Sequence, residues 1–269
     1  MVHFHGYSSH INAHHDLFPS LAARGILCTG IDQRGWGNSV KSHAEIGNSG
    51  PTPAILSDMA AFIEAQLEVP PTDIPLFIMG HSMGGGLAAT IASTPEYAPL
   101  VSRTAGIILI SPLIGLPPEN TPSAAKEFVS RYVCKLFPRY QIDHKMSPSI
   151  VTRDPAVAKS IEEDPFSFGM GTLEMFAGML DRGEALRSGK LVLNDGVKSV
   201  YTVHGTGDKS TNYESTAKWF ESQGTRAPHH KFTPLEGWSH CPYADLPDNR
   251  HIFTDDLSEW ILERAKASA

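Results

Sequence analysis

Gly80-His81-Ser82-Met83-Gly84-Gly85 is the stretch on which the fold assignment turns. It follows the apolar run Ile74–Met79 and precedes the Ala-rich segment Leu87–Ala92, so it reads as a strand, a sharp turn and a helix. It also matches G-x-S-x-G. Such a match arises by chance roughly once in five chains this long, so the pattern alone decides little. The context adds weight. A serine on a tight strand-to-helix turn needs glycines two residues away on either side, where the adjoining backbone leaves no room for a Cβ. Gly80 and Gly84 stand there. Ser82 is expected to point its hydroxyl out of the turn, at the N-terminus of the next helix, where backbone amides favour negative charge.

On both sides of this turn, short apolar runs alternate with helical patterns, which implies an α/β fold with a mostly parallel sheet flanked by helices. The runs are Val2–His5, Gly25–Asp32, Ile74–Gly80, Ala105–Ser111, Lys198–His204 and His229–Leu235. Each is short and several are rich in Val and Ile, as expected of strands buried on both faces. Helices are predicted over Asn12–Ala23, Thr52–Glu68, Ser82–Ser93 and Asn212–Gln223, with a last one over about Pro247–Lys266 that puts Ile252, Phe253, Leu257, Trp260 and Ile261 on one side. The alternation breaks between Pro112 and about Gly196, where no clear strand is visible and the stretch is too long for a bare loop. Thr121-Pro122 is expected to start a helix sharing Phe128, Tyr132 and Leu136 and stopped by Pro138, Asp154-Pro155 a second, and Thr172 a third carrying Leu173, Met175, Phe176, Met179 and Leu180. That Met/Phe stripe suits either core packing or a wall facing a substrate. The chain therefore divides into a core over residues 1–111, an inserted helical cap over 112–196, and the rest of the core over 197–269.

The composition sets outer limits. Of 269 residues, 41% are hydrophobic and 19% charged, enough to bury a substantial core. A formal charge of −7 argues against a nucleic-acid partner, because phosphate contacts need a basic face. Cys28, Cys134 and Cys241 form neither a metal-ligand spacing nor an even disulfide set, which points to a reducing, cytoplasmic setting. With no apolar run near about 18 residues and no signal peptide, a soluble protein is expected.

A serine hydroxyl is a poor nucleophile until a base takes its proton, and an acid must hold that base in the right tautomer. On a parallel sheet of this kind both partners belong on loops after later strands, acid before histidine. Asp208 is the acid after Lys198–His204, whereas Asp195 precedes that strand, at its wrong end. His240 follows His229–Leu235, whose own His229 and His230 stand at the opposite edge. The expected order is Ser82, Asp208, His240. Acyl transfer also needs oxyanion donors: the Met83 amide after the nucleophile, and a second amide from the loop after the first strand, where Gly6 lets Tyr7 turn inward. His5 is read as a brace for that loop rather than a base or ligand. His14-His15-Asp16 is not expected to bind metal, because neighbouring helical residues diverge by about 100°. Cys241 reads as a packing residue, with thiol-reagent inhibition through His240 as its functional alternative.

Together, His5-Gly6-Tyr7-Ser8-Ser9-His10, Asp32-Gln33-Arg34-Gly35-Trp36-Gly37-Asn38-Ser39, Gly80-His81-Ser82-Met83-Gly84-Gly85, Asp208 and Gly237-Trp238-Ser239-His240 resemble the monoacylglycerol lipase family of α/β-hydrolases, its fungal branch above all. The similarity spans nearly the whole chain, including the cap segment Ser149–Leu186. It implies Ser82 as nucleophile with Asp208 and His240 as partners, Tyr7 and Met83 as oxyanion donors, and no cofactor or metal. The implied reaction cleaves a monoacylglycerol to glycerol and a fatty acid, with the acyl chain in an apolar tunnel under the cap. The outer face of the cap is then expected to touch membranes or lipid droplets through residues such as Phe128, Phe137 or Phe168. Two departures stand out. Family members usually carry two further strands before the His-Gly strand, so the strand at Met1 is expected near a sheet edge with unpaired backbone groups, favouring low stability or self-association. The mammalian lipase also has an acidic and a basic group at the positions of Ser9 and Ala13. Other esters, in a carboxylesterase or lysophospholipase, and a non-catalytic binding protein of the same fold remain alternatives.

Overall fold

The structure, a computed structural model, describes residues 1–121 and 132–268. Its strands are β1 (Val2–Phe4), β2 (Thr29–Gly30), β3 (Phe77–His81), β4 (Gly106–Ile110), β5 (Gln141–Asp143), β6 (Met170–Thr172), β7 (Ser199–Gly205) and β8 (His229–Leu235). The longer helices are α1 (Leu17–Ala22), α2 (Thr52–Leu67), α3 (Met83–Ser93), α4 (Pro155–Glu163), α5 (Leu173–Arg187), α6 (Tyr213–Ser222) and α7 (Pro247–Ser268). Six strands pair in the order β2-β1-β3-β4-β7-β8, and every ladder among them is parallel. The expected α/β architecture is therefore present.

Alternation along each strand divides the core in two, since successive side chains leave a strand on opposite faces. Ile78, Ile107, Leu109 and Val200 point toward α2, α3, α5 and α6, meeting Met59, Ile63, Leu87, Met175 and Trp219. Met79, Ile108, Ile110, Tyr201 and Val203 point the other way, toward α1 and α7, meeting Leu17, Leu21, Phe253, Leu257 and Trp260. Each fully buried Leu, Ile or Phe contributes roughly 1.5–3 kcal/mol, so losing either layer would exceed a typical folding free energy.

Several expectations need correction. The strand at Met1 is not left with an unpaired side: β1 lies between β3 and β2, and the Thr29 amide donates to Met1 O at 2.9 Å. The run Gly25–Asp32 reduces to Thr29–Gly30, because β1 is itself short and the Asp32 carboxylate leaves the sheet to accept from the Ile11 and Asn38 amides at 2.7 Å each. The first helix starts at Leu17 rather than Asn12, since His15 adopts a left-handed φ of 50° that no helix continues. Ile252 is 58% exposed, one position off the buried stripe of Phe253, Leu257, Trp260 and Ile261. Residues 112–196 also hold a strand pair after all, the antiparallel β5 and β6, three residues each and too short to show alternation. Pro122 and Phe128 lie outside the described residues. Residues 132–136 are helical, with Tyr132 and Leu136 exposed and Pro138 beyond.

The helices expected at Asp154-Pro155 and after Thr172 are α4 and α5. Asp154 caps α4 by accepting from the Ala156 amide at 2.9 Å, and Thr172 caps α5 by accepting from Met175. The stripe on α5 divides between the core and a cavity. Met175 is buried in the core, while Met179 and Leu180 line a cavity of about 510 Å³ with Leu113, Ile114 and Leu116.

Candidate active site

Ser82 sits between β3 and α3 with φ 54° and ψ −117°, a strained backbone for a residue with a side chain. The Ser82 amide donates to Ile110 O, and its carbonyl accepts from the Gly86 and Leu113 amides, each at 2.9 Å. Three backbone hydrogen bonds around one residue hold the strain in place. The flanking glycines are required by contact: a Cβ at Gly80 would lie 2.1 Å from Gly84 O, and one at Gly84 2.0 Å from Phe4 O. Met83 opens α3, so its amide has no partner within the helix and lies where the helix dipole favours an anion.

Because the sheet is parallel, the loops after β3, β7 and β8 emerge at one rim. They bring Ser82, Asp208 and His240 together. His240 Nδ1 lies 2.7 Å from Asp208 Oδ2, with both side chains almost wholly buried. His240 Nε2 has no hydrogen-bond partner among the described residues, and His240 and Ser82 line one cavity of about 440 Å³. Burial opposes ionisation of Asp208, yet His240 and His204 against its oxygens hold its pKa far below the usual carboxylate range. Asp195, set aside from the sequence, is exposed and pairs with Arg226 at 3.0 Å. His229 and His230 are exposed at the start of β8.

The loop after β1 abuts Ser82: a Cβ at Gly6 would stand 3.2 Å from Ser82 Cβ. His5 braces this loop from within. Its Nδ1 donates to Gly6 O at 2.9 Å, its Nε2 accepts from the Gln33 amide at 3.0 Å, and Gln33 Nε2 donates to His5 O at 2.7 Å. Burial lowers the His5 pKa to about 4, outweighing the Gly6 carbonyl and Asp32, so it remains neutral near pH 7. Trp36 packs edge-on against Tyr7, which accounts for part of the Asp32–Ser39 motif.

Sequence reasoning missed how firmly residues 144–169 clamp this loop. The Tyr7 hydroxyl donates to His144 O at 3.1 Å, the Gly169 amide donates to Ser8 Oγ at 2.9 Å, and His10 Nε2 meets Asp164 Oδ2 at 2.7 Å. The same segment holds the His240 loop. Arg153 pairs with the buried Asp245 at 2.8 Å, Asp245 accepts from Ser239 Oγ at 2.9 Å, and the Cys241 amide donates to Val151 O at 2.9 Å. Partners 90 or more positions apart leave no periodic signal. Thr211 and His204, both against Asp208, were also missed, although Thr211 lies only three residues after the acid.

Ser9 and Ala13 line the cavity shared by Ser82 and His240, beside Asn12, Ser160 and Ser167. His14 stacks on Phe18 with ring centres 4.2 Å apart, and no group of three metal-ligating residues exists among the described residues. The Cys241 thiol is buried, and burial pushes its pKa up, which suits packing rather than reactivity.

Comparison with known proteins adds a lineage to this geometry. The family Hydrolase_4, described as serine aminopeptidase S33, matches residues 1–245. A Schizosaccharomyces pombe protein named "Putative monoglyceride lipase" is 30% identical over 271 residues, covering 100% of this chain and 68% of the relative. The monoglyceride lipase of Saccharomyces cerevisiae is 27% identical, covering 98% of this chain and 85% of its own length. A crystal structure of a soluble variant of that yeast enzyme with a substrate analogue superposes with a TM-score of 0.84 at 22% identity, over 98% of this chain and 85% of the other.

Proposed function

The chain belongs to the serine aminopeptidase S33 family of α/β-hydrolases, and from that we propose that it is a serine ester hydrolase cleaving monoacylglycerols to glycerol and a fatty acid. One observation carries the reading: a serine on a strained turn shares a cavity with a histidine whose far nitrogen is bound to a buried carboxylate. Ser82 Oγ attacks the ester carbonyl while His240 Nε2 takes its proton. Asp208 stabilises the imidazolium, and the Tyr7 and Met83 amides receive the oxyanion. As the tetrahedral species collapses, the carbon–oxygen bond to the alcohol breaks and His240 protonates the leaving oxygen. Water then attacks the acyl-enzyme with His240 again as base, releasing the acid and restoring Ser82.

The acyl chain is received by the apolar part of the cavity that Ser82 and His240 line, made by Met146, Val151 and Ile161. Each buried methylene contributes roughly 0.8 kcal/mol, so ten of them outweigh a single head-group hydrogen bond. The relatives named monoglyceride lipase support this substrate class. The hydroxyl and amide groups of Ser9, Asn12, Ser160 and Ser167 suit a polyol head group in place of the charged pair at the positions of Ser9 and Ala13. The test is a panel of acyl-chain lengths on glycerol, with lysophospholipids and simple esters alongside, run on the protein and on Ser82→Ala. Long-chain monoacylglycerols are expected to dominate, with Ser82→Ala inactive and unlabelled by a fluorophosphonate probe. A peak at two to four carbons would exclude the lipase, and labelling of Ser82→Ala at the wild-type rate would exclude the mechanism.

Contact with a lipid surface belongs to the same proposal. Tyr132, Leu136, Phe137 and Tyr140 are each at least 60% exposed, whereas Phe168 packs against the core and Phe166. With a net charge of −7, docking rests on these apolar groups rather than on anionic headgroups. No described helix is long and apolar enough to cross a membrane, and a peripheral, cytoplasmic enzyme fits the three free cysteines. Flotation with neutral phosphatidylcholine vesicles is expected to carry the protein and not a Leu136→Ser/Phe137→Ser variant. Equal flotation of both would refute docking here.

A further inference from the structure

Asp208 serves two histidines, and the proposed reaction uses only one. His204 stands at the end of β7 with its side chain fully buried, and its Nε2 lies 3.0 Å from Asp208 Oδ2. That same oxygen accepts from His240 Nδ1 at 2.7 Å and from Thr211 Oγ1 at 2.8 Å. The other oxygen accepts from the Ser210 and Thr211 amides at 2.7 and 3.0 Å. His204 Nδ1 is buried without a hydrogen-bond partner. A proton there would have no acceptor, so Nε2 is the nitrogen that donates to Asp208.

We propose that His204 is a positioning residue that sets the proton affinity of His240 by sharing the Asp208 oxygen on which His240 depends. This role rests on the ester-hydrolase reading above. A carboxylate oxygen divided among three donors polarises each of them less than one that serves a single partner. His204 thereby weakens the hold of Asp208 on the His240 imidazolium. His240 keeps its free base to lower pH and surrenders its proton more readily to the leaving alcohol. The groups facing His204 are few. Asp208 and Thr211 come from its own loop, and His240 from the loop after β8, where the His81 ring lies 4.8 Å away. The Tyr213 ring, beside Glu214 and Glu236, meets His204 edge-on at 5.8 Å, and Ser111 O reaches the cluster through Thr211. Asp208 is the one carboxylate in hydrogen-bond contact with His204 among the described residues.

The test compares His204→Gln, whose amide can still donate to Oδ2, with His204→Leu, which cannot. The readouts are the pH dependence of kcat/KM on p-nitrophenyl butyrate and the low-field Nδ1 proton resonance of His240. In His204→Leu the acidic limb is expected to rise by about half to one pH unit and the resonance to move downfield, with KM little changed. His204→Gln is expected to stay near wild type in both. A folded His204→Leu with an unmoved limb and resonance overturns the proposal, as do equal shifts in both variants, which would indicate a role in volume alone. Should His204→Leu fail to fold, Thr211→Val removes another donor from the same oxygen, and an unmoved limb there overturns it too. If the wild type hydrolyses no ester, the reading of function fails, and the resonance still decides whether the oxygen is shared.

Discussion

Moving from about pH 7.5 to about pH 5.5 is expected to remove about 4 kcal/mol of folding stability through three imidazoles that carry no charge in the fold. His3, His5 and His81 are at most 6% exposed. Burial lowers the pKa of His3 to about 3 and that of His5 to about 4. Burial, and then the neighbouring His240, takes His81 well below its ordinary value. In the unfolded chain each returns to about 6.5. A group with a depressed folded pKa contributes stability that is fully present above its unfolded value and is lost as pH falls toward the folded one. At about pH 5.5 the unfolded state gains about 1.4 kcal/mol per histidine by protonation, while all three remain neutral in the fold. The figure is set by the unfolded pKa, because a folded value well below the assay pH adds almost nothing. Asp208 adds nothing here, because its depressed pKa matters only as pH falls below about 4. The assay is urea unfolding followed by tryptophan fluorescence, with Trp36 and Trp219 buried as reporters. With an unchanged m-value, stability should fall by at least about 4 kcal/mol between the two pH values, and by about 1.4 kcal/mol less in His3→Leu. Equal stability at both pH values would refute the claim that these side chains are held neutral.

Three further outcomes follow from local geometry. Gly84→Ala places a methyl 2.0 Å from Phe4 O, so it should cost more than about 3 kcal/mol or prevent folding, seen as loss of soluble protein; a wild-type melting temperature would contradict the packing. Asp164→Asn weakens the tie from His10 to the loop that carries Tyr7, so kcat on a small soluble ester should drop about threefold to tenfold with KM nearly unchanged; a pure KM effect would assign the pair to substrate binding. N-ethylmaleimide should leave Cys241 unmodified in the native protein while the less buried Cys28 and Cys134 react, and peptide mapping that finds Cys241 alkylated first would show the loop to be open.

What could be read from residues in order was whatever depends on neighbours in the chain. Apolar alternation located every strand of the main sheet, glycine spacing marked the turn at Ser82, and polar residues after the apolar runs pointed to Asp208 and His240. Parallel pairing then placed three strand ends at one rim, so a candidate constellation could be proposed before any distance was known. The short strands β5 and β6 escaped because three residues carry no period. The pairing of β1 on its outer side escaped because an apolar run marks a strand without saying which strand it pairs with. The two-histidine arrangement around Asp208, the Asp245 brace and the clamp from residues 144–169 join side chains whose proximity no local pattern encodes. Those contacts form only when separate loops are packed into one buried volume, where an unpaired polar group is costly and must find whichever partner the fold delivers.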